Sequence, residues 1–286
     1  FTIRSDAISS FPLRGIFRQV LKLINKEKMK KLQYTIYSIA LLIMSNVTMA
    51  QKTEFLTKGK IIFEKKLNIY AQMQEIFKGN ENSSWIDDVK DYFKKNNGQF
   101  LTTQYSLTFD GDKTLFKSIP SDDAKPLPWF VYNDEDNSTY SDFGKDETVR
   151  LRHIYEDFFL VTDSSRQINW KITNETREIA GINCRRANAV IMDSVYVVAF
   201  YTDDIVTPGG PESFNGLPGM ILGVALPYDH VSWFATKVTT EVNPAKDLVP
   251  PSKGKKLNTK SYVDDLGTSL KNWGNRGKSI IKTTLF

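Results

Sequence analysis

The chain has 286 residues, 41% hydrophobic and 12% aromatic, with a formal charge of +5 from 38 Lys and Arg against 33 Asp and Glu. That basicity is local: residues 1–50 hold eight basic and two acidic groups, leaving 30 against 31 beyond them, which removes the case for a nucleic-acid partner. The single cysteine, Cys184, excludes an internal disulfide.

In chain order, the first predicted feature is a leader. Lys30 and Lys31 precede an apolar stretch from Ile36 to Val47, and Thr48 and Ala50 supply small residues at the positions a signal peptidase reads. Residues 29–50 are therefore expected to be a signal peptide cleaved between Ala50 and Gln51, and residues 1–28 an upstream translated or disordered segment. The apolar stretch is too short for a spanning helix, and no cysteine follows the cleavage point to carry a lipid. The mature chain is expected to have no transmembrane segment. It is long enough for one domain with a sizeable core.

"GKIIFEKKLNIYAQM" (59–73) opens as a strand. "SSWIDDVKDYFKKN" (83–96) reads as a helix, with Ser84 as cap and Trp85, Val89, Tyr92 and Phe93 on one face. An alternating run follows, and Asp110-Gly111 marks a hairpin into a strand over 113–119. Residues 120–147, with three prolines and "NDEDNS", read as a long solvated loop that lacks the glycine and final glutamate of a calcium-binding loop. Strands are predicted over 149–155, 158–162, 168–173, 184–192, 195–201, 220–226 and 231–242. Turns fall between them at roughly 8–12-residue spacing, as in an antiparallel meander. Residues 246–286 carry nine basic and three acidic groups and read as a solvated, partly helical tail able to touch an anionic surface.

Catalytic patterns are sparse. His153 lies in an alternating run and His230 in a turn, so neither joins a zinc-binding pattern, and no nucleophile elbow is present. "GPESFNGLPGMILGV" (210–224) is rich in glycine but leads into a strand rather than a helix, and it lacks a lysine for phosphate. Pro218-Gly219 suits the centre of a type II turn, with Gly219 at positive φ and Leu217 pinned to the core. Its polar residues Glu212, Ser213 and Asn215 are expected to tolerate alanine.

"GLPGMI" resembles the signature of the GLPGLI family, exported proteins typical of the Bacteroidota. The likeness extends over Trp170, Ile179, Gly181, Cys184 and Ala187. It continues through Ala199, Phe200, Tyr201 and Thr202 to Gly210, Pro211, Gly216, Leu217, Pro218, Gly219, Met220 and Ile221. Phe200 stands where tryptophan is usual, and Met220 replaces leucine. The resemblance implies export and a mainly β domain over 51–245, and it brings no catalytic residues.

The expected fold is mainly β (α+β): a single curved antiparallel sheet or half-barrel with one or two packed helices. The expected role is binding or a cell-envelope accessory function, non-enzymatic and without cofactor or metal. The setting would be the periplasm or the cell exterior, with an association with the outer membrane open. An apolar ligand, a lipoprotein or another envelope protein would be the partner, held on a concave apolar face. The rival is an extracytoplasmic hydrolase using acidic residues near 120–147.

Overall fold

The computed structural model describes residues 22, 26–38, 55–79, 84–96, 98–121 and 127–286. It divides into two compact units, Phe1–Thr53 and Glu54–Phe286. Within the first, residues 26–38 form an exposed helix carrying Lys30 and Lys31, and the expected cleavage point, Ala50–Gln51, lies outside the described residues. No described helix is long and apolar enough to cross a membrane.

The second unit is built on one open, curved sheet of twelve strands. They are β1 (Lys58–Asn68), β2 (Phe100–Asp110), β3 (Lys113–Ile119), β4 (Ser138–Asp142), β5 (Glu147–Ile154), β6 (Asp157–Asp163), β7 (Lys171–Ile179), β8 (Ile182–Ile191), β9 (Val195–Thr202), β10 (Met220–Leu226), β11 (Val231–Thr239) and β12 (Lys255–Leu257). Their order is β12-β6-β5-β4-β3-β2-β1-β11-β10-β9-β8-β7. Every pairing is antiparallel except β12 with β6. The mainly β expectation holds, and the sheet does not close.

Turn chemistry sets the register where the sequence indicated it. Asp110 pairs with Lys113 around Gly111, and Ile191 pairs with Val195 around the 192–194 loop. Ala180 and Gly181 both take positive φ, at 51° and 79°, the geometry of a two-residue hairpin that matches strand twist.

One predicted loop is corrected. Residues 138–142, assigned to a solvated loop, form β4, with Tyr140 buried between β3 and β5. The segment 59–73, read as opening in a strand, does so as β1 and then passes into helix α1 (Ile69–Phe77). Asn68 caps α1 by accepting the Ala71 N–H at 3.1 Å, and Ile69, Met73, Ile76 and Phe77 are buried. The predicted helix follows as α2 (Ser84–Asn96), and the Trp85 side chain lies outside the described ones.

The basic stretch 246–286, expected as a solvated tail, belongs to the same unit as the sheet. After a single turn, α3 (Pro244–Asp247), it forms β12 and two helices, α4 (Thr259–Ser269) and α5 (Gly274–Thr284). Tyr262, Leu266 and Leu270 recur every four residues, and with Ile280 they cover Ile154, Phe159 and Val161 of β5 and β6. Helices therefore outnumber the one or two expected.

The loop between β9 and β10 crosses the inside of the curved sheet. Thr207 donates to the carbonyl of Gly111 at 2.7 Å, and Trp170 Nε1 donates to the carbonyl of Asn215 at 2.8 Å. Glu212 meets Arg152 of β5. These partners lie in the β2–β3 turn, just before β7 and on β5, so the loop fills the interior that the sequence suggested as a concave apolar face.

Within that loop, Gly219 has φ +131°, as expected for positive φ. The turn is tighter than type II, because the Gly219 N–H bonds to the Leu217 carbonyl at 2.7 Å, a three-residue turn centred on Pro218. A Cβ on Gly219 would lie 2.1 Å from the Thr202 carbonyl oxygen. Gly219→Val should therefore lower stability by more than about 1 kcal/mol, adding steric displacement to backbone strain. An unchanged melting curve would contradict this.

Candidate functional site

Strand parity builds an unusual interior. In β1, Ile61, Phe63, Lys65 and Leu67 all point inward, so a lysine occupies a core position and is 8% exposed. Its cross-strand partner on β11 is Trp233, and its Nζ lies 5.4 Å from that ring and 5.7 Å from the ring of Tyr105. Asp134, from the acidic segment before β4, forms an ion pair with it. An unpaired buried ammonium would be prohibitive, and the carboxylate and two aromatic faces make it tolerable.

A second ion pair lies nearby. Arg152, 1% exposed, meets Glu212 at 3.5 Å, donates through Nε to the Thr284 carbonyl at 2.9 Å and through Nη1 to the Ser138 carbonyl at 3.2 Å. Burial pushes the Glu212 carboxyl above the usual carboxylate range, against the opposing pull of Arg152 and Lys65. Ser213 donates to the Phe286 carbonyl, and the Asn215 amide donates to the Ser213 carbonyl at 2.9 Å. Glu212, Ser213 and Asn215, expected to be dispensable loop residues, all have partners: Ser213 and Asn215 are buried, Glu212 ties the loop to β5, Ser213 ties it to Phe286, and the Asn215 side chain bonds within the loop. No signal in the local sequence marks the contacts of Glu212 and Ser213, because their partners, Arg152 and Phe286, lie tens of residues away.

A cleft opens beside this interior, between α1, α5 and the β10–β11 turn. Its outer part, about 250 Å³, is walled by Gln72, Tyr228, His230, Asn275 and Ser279 among others. An inner chamber of about 50 Å³ shares Asp229 and Lys282 with it and reaches Lys65, Trp233 and Phe286. Asp229 forms an ion pair with Lys282 through Oδ1. Its Oδ2 and the Nε1 of Trp233 are buried and find no hydrogen-bond partner among the described residues.

The residues of the sequence motif lie elsewhere in this framework. Tyr201, Thr202, Met220 and Ile221 are buried on β9 and β10, and Gly210, Pro211 and Leu217 are buried in the loop, whereas Gly216 and Pro218 are exposed. Trp170 lies against that loop, Phe200 packs on Phe234 at 6.3 Å, and Gly181 turns the β7–β8 hairpin. Cys184 is fully buried, and Arg185 beside it is exposed on the opposite face. Burial, helped by the negative charge of Asp204, pushes its thiol up to about 12. A thiol reagent should label Cys184 in the native protein only at the rate of unfolding, and labelling as fast as in denaturant would contradict this. His153 stacks on Phe158 at 4.1 Å and contacts Asp136 at 2.8 Å. No group of three His, Cys, Asp or Glu side chains among the described residues is arranged to hold a metal ion.

Residues 189–223, from the end of β8 through the loop into β10, match a family model described as "Protein of unknown function (Porph_ging)". No curated protein matches the sequence. Similar solved structures include PNGF-II in two space groups, both with TM-score 0.47 and 14% identity, covering 73% of this chain and 33% and 32% of theirs. The chain thus spans about a third of the PNGF-II chain. An uncharacterized conserved protein from Thermus thermophilus matches with TM-score 0.32 and 7% identity over 76% of this chain and 98% of its own.

Proposed function

We propose that this chain is an exported, GLPGLI-type protein that serves the cell envelope by binding a partner rather than by catalysis, in the periplasm or outside the cell. The leader pattern and the motif residues from Trp170 to Ile221 support export and the family assignment. The observation that carries the binding reading is the state of the two interior carboxylates. Asp134 and Glu212 are each engaged by a cation and neither lines the cleft, whereas a general acid or base must stand within hydrogen-bond reach of the substrate. The cleft offers polar and apolar walls around a small volume in which a ligand could be held. Exposed lysines of the basic stretch, among them Lys246, Lys256, Lys260, Lys271 and Lys278, are the side chains that would meet an anionic surface.

The rival hydrolase is tested directly. The purified protein and its Asp134→Asn and Glu212→Gln variants are assayed against chromogenic esters, glycosides and peptides, with melting curves as a folding control. The binding reading expects no turnover from any of them. Turnover by the native chain that a folded Glu212→Gln variant has lost would sink it. Mass spectrometry of exported material should find Gln51 as the first residue, and retention of residues 1–28 would refute the leader.

A further inference from the structure

We propose that the cleft between α1, α5 and the β10–β11 turn holds a small, neutral, hydroxyl-bearing molecule, with one hydroxyl seated in the inner chamber between Trp233 and Asp229. The inference rests on the binding reading and gives it a seat and a ligand class.

Two orphaned polar atoms carry it. Trp233 is 1% exposed, and its Nε1–H can only donate. Asp229 Oδ2 is a carboxylate oxygen whose sister atom is already taken by Lys282, and it can accept. Both atoms are buried, without a partner among the described residues, and both residues wall the same chamber. Native interiors seldom leave such groups unsatisfied, because each loses its hydration with nothing in return. A hydroxyl placed between the two residues would accept from the indole and donate to the carboxylate. A chamber of about 50 Å³ has room for a hydroxymethyl-sized group, several times the space one water needs.

Charge and size narrow the class further. Around the cleft, Asp229 is matched by Lys282 and Glu75 by Lys78 at 3.8 Å, while Lys65 at the inner end is matched by Asp134. A net ion would have to break one of these pairs or enter without a counter-charge, so a neutral ligand fits better. The outer volume of about 250 Å³ lies below the usual range for drug-sized ligands and suits a molecule of a few carbons. Gln72, His230 and Ser279 add amide, imidazole and hydroxyl groups for the remaining oxygens of a polyol.

The test uses the indole N–H signals of the five tryptophans in ¹⁵N-labelled full-length protein, with that of Trp233 identified by its loss in Trp233→Phe. Glycerol, xylitol and myo-inositol are titrated in parallel with acetate and methylammonium. The expected result is saturable movement of the Trp233 signal by at least one polyol and by neither ion. Ligand-observed saturation transfer should then weaken at least about tenfold in Asp229→Ala, the loss of one anchoring hydrogen bond. Because core variants can fail to fold, Ser279→Phe at the mouth serves as a second variant. It should abolish the polyol response while keeping the native melting temperature. Equal binding of an ion, an unaffected Ser279→Phe response, or a Trp233 signal that no polyol moves and that exchanges only with ordered water would each overturn the proposal. These outcomes are separate from the hydrolysis assay, since a polyol-binding cleft in a protein that proves catalytic would sink the binding reading and keep this one.

Discussion

Replacing Arg152 with methionine should cost about 3–5 kcal/mol of stability, the cost of breaking a buried ion pair from one side. The guanidinium is 1% exposed and meets three separate parts of the fold: Glu212 of the interior loop, the Ser138 carbonyl on β4 and the Thr284 carbonyl at the end of α5. Methionine fills much of the volume but supplies none of these donors. The Glu212 carboxylate would then be buried with its nearest cation gone. Burial already holds this carboxyl above its ordinary range, and losing Arg152 removes the strongest opposing influence, so its folded value must rise further. A carboxyl whose folded value exceeds its unfolded one gains stability as it takes up a proton. The deficit of Arg152→Met should therefore be smallest below the unfolded carboxylate range, near about 4, and grow as pH rises through the folded value. Urea titrations at a series of pH values would measure this, and a deficit that does not vary with pH would rule out the Glu212 account. Arg152→Met combined with Glu212→Leu should recover part of the loss.

Leu217→Ala should cost about 2–5 kcal/mol, the range for a leucine removed from a rigid core. Leu217 is 2% exposed, although Gly216 and Pro218 on either side are exposed. The Pro218 turn and the Gly219 approach to Thr202 fix the backbone there, so the chain cannot collapse into the cavity that alanine leaves. Calorimetric melting of the two proteins gives the difference directly. A loss within the usual surface range of about 0.5 kcal/mol would mean that the loop relaxes and that the turn does not hold it.

Most of the strand framework could be read from the sequence, because it follows from short-range chemistry. Strand β10 is predicted with its observed bounds, since an apolar run follows directly after a proline-glycine turn. Burial of Leu217 and the positive φ of Gly219 follow from the same short segment. The candidate site was far less legible. In "VRLRHI" the alternation offers Val149, Leu151 and His153 as one face and Arg150, Arg152 and Ile154 as the other. Composition favours burying the first set, yet Arg150 and Arg152 are buried, and of the first set only Val149 is.

What the sequence alone determined is therefore local: where the chain turns, which residues alternate, and why a glycine must stand at Gly219. Tertiary structure decided which face of each strand is interior, that Ser138–Asp142 is a strand, and that the basic segment folds back as α4 and α5. It also made Lys65, Asp134, Arg152 and Glu212 interior charges rather than surface ones. The physical reason is sequence distance. Lys65 and Asp134 are 69 residues apart, and the Arg152–Thr284 bond spans 132. A charge can be buried only when its counter-charge and hydrogen-bond partners arrive with it. That pairing is set when the curved sheet, the β9–β10 loop and the end of α5 come together, and no window of the sequence contains it.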